Sequence, residues 1–116
     1  MIRKYQKTID VLGTEYKVMF LGESNDSRLY EKDGYVDTST KEIVVRDDFI
    51  ETTDSLRDLE SYQEKVLRHE IVHAFLHESG LSGNCDWATE ECVDWFALQY
   101  GKIVNAIDSV IEGEVE

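Results

Sequence analysis

Between residues 6 and 21 the chain alternates apolar and polar side chains. Ile9 and Val11, then Tyr16, Val18 and Phe20, fall on every second position, with Gly13 between the two runs. A period of two marks a strand that buries one face. The runs 6–12 and 15–21 therefore predict a hairpin turning tightly at Gly13. GYVDTSTKEIVVRDD reads as a second hairpin. Its strands are expected at 34–37 and 42–46, joined by the polar turn from Asp37 to Lys41. The polar stretch between the hairpins, GESNDSRLYEKD at 22–33, reads as a loop with a short helical turn.

After residue 60 the period lengthens to that of a helix. Ser61 is followed three residues later by Glu64, the capping-box spacing, and Gly80 suits the position just past a helix end. A helix is expected at 62–79, with Leu67, Ile71, Ala74 and Phe75 as its buried stripe. A glycine-containing loop, SGLSGNCDW, follows. Asp86 is expected to cap a last helix over 88–111. The apolar spacing predicts burial of Val93, Phe96, Ala97, Tyr100, Val104, Ile107 and Ile111, and the tail EGEVE is expected to fray. Strands first and helices second give an α+β class: a small antiparallel sheet packed against two helices, in one domain spanning 1–116.

The chain carries 25 acidic and 12 basic residues, a formal net charge of −13. Such a surface repels phosphate backbones, which excludes nucleic acid as an expected ligand, and it favours cationic partners or peptides. The opening residues hold no apolar core of signal-peptide length, and no run approaches a membrane span. Cys85 and Cys92 form neither a CxxC pair nor a disulfide framework. They read as reduced thiols, and the expected location is cytoplasmic.

The remaining chemistry sits in RHEIVHAFLHESG, which holds all three histidines: His69, His73 and His77. Residues four apart on a helix are offset by roughly 40° and about 6 Å. His69 and His73 can therefore converge on one ion, and neutral imidazole suits zinc. Glu70 leaves the helix toward another side, where it can serve as a base for water. A catalytic zinc takes a third protein ligand and leaves the fourth position open. His77 lies about 12 Å beyond His69 along the helix, so one straight helix cannot bring both to a single ion. It is expected to line the cleft or bond near the helix end. Glu90 and Asp94 share one face of the next helix. Glu90 is the favoured third ligand and Glu91 its rival, while Asp94 is placed to accept the second N–H of a ligand histidine. Tyr62, His77 and Tyr100 are candidate donors to an oxyanion.

HExxH at 69–73 followed by Glu90 and Asp94 resembles the gluzincin clan of zinc metallopeptidases. The runs HEIVHAFLH and EECVDWFAL are similar to ImmA/IrrE-type peptidases of bacteria and phages, and the small size resembles minigluzincins. Asp94 stands where that family usually has asparagine. The resemblance covers about 61–100. It implies a zincin-like fold and one zinc ion held by His69, His73 and Glu90, with Glu70 as general base. It further implies peptide or protein substrates, among them regulatory or repressor proteins. The alternative is a non-catalytic zinc-binding module that docks a partner protein.

Overall fold

The computed structural model describes residues 4–50 and 58–113. Four strands come first: β1 (Gln6–Val11), β2 (Thr14–Leu21), β3 (Gly34–Asp37) and β4 (Glu42–Arg46). Two helices follow, α1 (Leu59–Glu78) and α2 (Glu90–Gly113). The class is α+β. Leu12 and Gly13 turn β1 into β2 with φ of 51° and 90°. Two successive positive φ values are what a two-residue hairpin between right-twisted strands needs. The loop 22–33 carries one short 3₁₀ turn, Ser27–Leu29.

The sheet runs in the order β1-β2-β4-β3 and is mixed rather than antiparallel. Both hairpins pair antiparallel, but β2 and β4 are parallel neighbours, with Val18 opposite Ile43 and Phe20 opposite Val45. The reason is the loop 22–33, which carries the chain past the β4 position to the far edge. The second hairpin then folds back inward. β3 is thus an edge strand, whereas β4 is internal and fully buried at Ile43, Val44 and Val45.

One sheet face holds Val11, Tyr16, Val18, Phe20, Ile43 and Val45, and Ala74, Val66, Leu67 and Ile71 of α1 pack against it. This burial is the main force holding α1 in place. Two polar anchors add direction. The Glu78 carboxylate accepts from Thr14 Oγ1 (2.8 Å), Tyr16 Oη (2.6 Å) and Lys41 Nζ (2.8 Å), so the end of α1 is tied to both hairpins. Arg46 reaches back from β4 to the Leu29 and Lys32 carbonyls at 2.6 and 3.0 Å and to Asp48 at 2.9 Å, pinning the crossing loop.

The helix ends differ from expectation. Asp58, not Ser61, caps α1: its Oδ1 accepts from Ser61 N at 3.1 Å, and Ser61 lies inside the first turn. An aspartate three residues upstream outcompetes the serine and adds most of a turn. Gly80 takes the left-handed conformation past α1, as its position implied. α2 begins at Glu90, and Thr89 Oγ1, rather than Asp86, accepts from Cys92 N. Of the seven α2 positions expected to be buried, only Val93 and Ala97 are. Phe96, Tyr100, Val104, Ile107 and Ile111 are exposed, as is Phe75 of α1, while Ile71 is half-buried. α2 meets α1 through its first turns, where Glu90 and Asp94 reach His73 and His69, and from Tyr100 onward its apolar positions stay exposed among the described residues. Glu112 and Gly113 still belong to α2; the rest of the expected frayed tail, 114–116, lies outside the described residues.

Candidate metal centre

α1 holds His69, Glu70 and His73 rigidly because Ala74, Val66, Leu67 and Ile71 anchor it to the sheet. His69 and His73 turn the same nitrogen, Nε2, toward a common point, 3.1 Å apart. Glu90, in the first turn of α2, brings its carboxylate to that point. Its Oε2 lies 3.0 Å from His69 Nε2 and its Oε1 lies 2.8 Å from His73 Nε2. These three residues form a group that could hold a metal ion.

The far side of His69 gives the group its electronic sense. His69 Nδ1 is 2.7 Å from Asp94 Oδ1. A carboxylate only accepts, so Nδ1 carries the hydrogen, and a neutral ring then presents a bare lone pair at Nε2. That lone pair faces a carboxylate oxygen of Glu90. Two acceptors at this separation repel unless a cation or a second proton lies between them. Burial, the largest influence on His73, pushes its pKa down and favours the neutral, ligating form; Glu90 opposes it. The Glu90 side chain is 73% exposed, so the group is open to solvent on its α2 side.

Glu70 is buried beside this group. Burial pushes its carboxyl up to about 7, with His69 opposing and Glu90 adding. Gly34 of β3 makes the close approach possible: a Cβ there would stand 2.8 Å from Val66 Cγ1 and 3.3 Å from Glu70 Cγ. Glu70 lies between two hollows of about 310 and 330 Å³. Both are lined by Lys32, Gly34, His69 and Glu70, so they form one cleft running past the carboxyl.

The other sequence candidates take distinct places. His77 lines the cleft beside His73 and Glu90 but is not in the ligand group. Glu91, exposed on the next position of α2, is also outside it. Tyr62 lines the other arm of the cleft, where its hydroxyl donates to Asp33. That bond and burial push the phenol up to about 12, so it stays a neutral donor. Tyr100 lines a separate groove on another side of the helices, away from Glu70. Lys32, Asp33, Gly34 and Lys65 also line the cleft and were not among the sequence candidates. Gly34 alone left a trace, as a glycine opening a strand, which marks close backbone approach.

Among the described residues no helix is long and apolar enough to cross a membrane. No curated protein and no solved structure shows significant similarity to the chain. One family model does match, over residues 14–113, which takes in all four strands but β1 and both helices. On that match the chain belongs to the family described as peptidase of plants and bacteria.

Proposed function

We propose that the protein is a zinc-dependent endopeptidase of gluzincin type, with His69, His73 and Glu90 as metal ligands and Glu70 as general base. The observation that carries this reading is the convergence of two imidazole nitrogens and one carboxylate beside a buried glutamate. A tetrahedral zinc ion with bonds of about 2.0–2.1 Å keeps its ligand atoms about 3.3 Å apart. The donors here are spaced at 2.8–3.1 Å, so small adjustments suit them to the ion. Three protein ligands with an open side match a catalytic rather than a structural site.

When bound, the ion supplies a Lewis acid for the scissile carbonyl and acidifies the attacking water. Glu70 takes the proton from that water and delivers it to the amine as the C–N bond breaks. Burial beside the ligand group raises the basicity of the Glu70 carboxylate, which suits it to take a proton from water. Asp94 fixes the His69 ring and its tautomer. His77 faces the cleft beside His73 and Glu90 and is the available donor to a developing oxyanion, whereas the one hydroxyl hydrogen of Tyr62 is given to Asp33 and would have to leave it to serve there.

β3 supports the mode of substrate binding. It is one of the two edge strands of the sheet, and Gly34, Tyr35 and Val36 line the cleft beside His73. An extended peptide added to that edge passes directly over Glu70. The resemblance to ImmA/IrrE-type peptidases adds a substrate class, flexible segments of regulatory proteins, which an edge-binding cleft accommodates. A non-catalytic module has no use for a buried carboxyl at the metal group.

Glu70→Gln tests the reading. Wild-type protein loaded with zinc should cleave a fluorogenic peptide library and lose that activity to a chelator. The variant should bind zinc equally and cleave nothing. Cleavage by the variant at the wild-type rate would overturn the mechanism.

A further inference from the structure

α2 is 24 residues long, about 36 Å at 1.5 Å per residue. Its last buried residue is Ala97. The apolar spacing does not stop there. Positions 93, 97, 100, 104, 107 and 111 step by four and three in alternation, the spacing of a coiled-coil seam. The first two pack inward, and the other four are 43–56% exposed. The seam that begins against α1 therefore continues along α2 as an exposed ridge. A helix draws most of its stability from packing such a face, and none of the described elements packs this one.

Near the start of α2 the same molecule carries a matching hollow. A groove of about 560 Å³ lies between α1 and α2, lined by Ile71, Val72, Phe75, Trp87, Phe96 and Tyr100 among others. Its walls are almost wholly apolar, and it shares no lining residue with the cleft around Glu70. Ridge and groove thus extend toward opposite ends of one helix and meet at Tyr100. A two-fold axis across the middle of α2 exchanges them, laying each ridge into the other copy's groove.

We infer that this face is covered by the same face of a second copy of the chain, with the two α2 helices antiparallel. The pairing is self-complementary, as a closed two-fold interface requires. The area also fits. Counting about 150–250 Å² for a whole large side chain, the exposed parts of Phe75, Trp87, Phe96, Tyr100, Val104, Ile107 and Ile111 come to roughly 500–850 Å² per copy. A stable interface needs about 800 Å² per partner. A patch of that size stands at or above the largest that a monomer ordinarily leaves bare. Each copy carries a charge of −13, so repulsion opposes the pairing and added salt should tighten it.

Sedimentation equilibrium of the full chain, from micromolar to hundreds of micromolar, tests this at low and high salt. The expected species has twice the 13.4 kDa chain mass, with a smaller dissociation constant at high salt. Ile107→Asp on the ridge and Phe75→Ser in the groove should each raise that constant by about tenfold or more. Both positions are exposed in the single chain, so the fold, checked by circular dichroism, should persist. Val104→Asp and Trp87→Ser replace either variant that fails to fold. A monomer at every concentration in both salts overturns the inference. So does a dimer that the groove variants leave intact, or an open-ended series of masses, which would mean a head-to-tail contact.

Discussion

His69 Nδ1 stands 2.7 Å from Asp94 Oδ1, so a residue on α2 decides which nitrogen a residue on α1 presents to the ligand group. Losing the acceptor frees the ring to rotate and to adopt the other tautomer. Asp94→Ala should weaken zinc binding by about 10–100-fold, and Asp94→Asn, which keeps an acceptor oxygen, by much less. Competition against a chromophoric chelator measures both. Equal affinity in all three proteins would mean that Asp94 does not orient His69.

Glu90 and Glu91 leave α2 about 100° apart, and only Glu90 reaches the histidines. Glu90→Ala should reduce zinc affinity by about 100-fold or more, whereas Glu91→Ala should stay within about twofold. Zinc should raise the melting temperature of wild type and of Glu91→Ala, since an ion that binds only the folded state stabilises it. It should leave Glu90→Ala nearly unmoved. The reverse pattern would transfer the ligand role to Glu91.

Much of the architecture was legible because its signals are local. The strands 34–37 and 42–46 emerge at the expected residues, since short apolar runs on either side of a polar turn mark a hairpin even where, as at Ile43–Val45, both faces are buried. Strand order was not legible. Alternation says which side chains share a face, not which strand lies alongside, and the loop 22–33 hides the crossover that makes β2 and β4 parallel. The pairing of His69 with His73 follows from helix geometry alone. Lys32, Asp33 and Gly34 reach the cleft only through tertiary folding, so no spacing announces them. The apolar stripe of α2 was read as core. Its spacing establishes that a partner surface is wanted but not that the same chain supplies it.

Glu78 makes stability depend on acid. Bonding to Lys41 first, then to Tyr16 and Thr14, holds its carboxyl down at about 2. A group whose folded pKa is depressed stabilises the fold above its ordinary pKa, and that contribution fades as pH falls through the folded value. Glu78→Gln should therefore lower the melting temperature at pH 7. The gap from wild type should shrink below about pH 4.5 and close toward about pH 2. A gap that stayed constant over this range would assign the loss to packing rather than to charge.

Glu70 carries the opposite sign. Burial raises its carboxyl to about 7, so in the metal-free protein the folded state holds a proton that the unfolded chain would release. Stability from this group is present below its ordinary pKa and is lost as pH rises through the folded value. Metal-free Glu70→Gln should match wild type near pH 4 and melt higher at pH 8. Calorimetry on chelated protein at the two pH values decides it, and equal melting at pH 8 would mean that the carboxyl carries no burial penalty.

Gly34 is where the edge strand β3 meets the helix that bears the site. A Cβ there would lie 2.8 Å from Val66 Cγ1 and 3.0 Å from the Val44 carbonyl oxygen. Val66 packs into the core cluster and Val44 belongs to the central strand, so neither yields freely. β3 is at the edge and can yield, but only by moving away from α1. Gly34→Ala should cost about 1–3 kcal/mol of stability, the usual penalty for overpacking. The atoms nearest the new methyl group belong to Val66, Val44 and Glu70 and not to a ligand side chain, so zinc affinity should hold within about threefold. Peptide cleavage should fall further than zinc binding, because the displaced strand is the edge on which substrate would lie and the methyl group presses on Glu70 Cγ at 3.3 Å. A variant with wild-type kcat/KM and normal stability would show that β3 does not position the substrate.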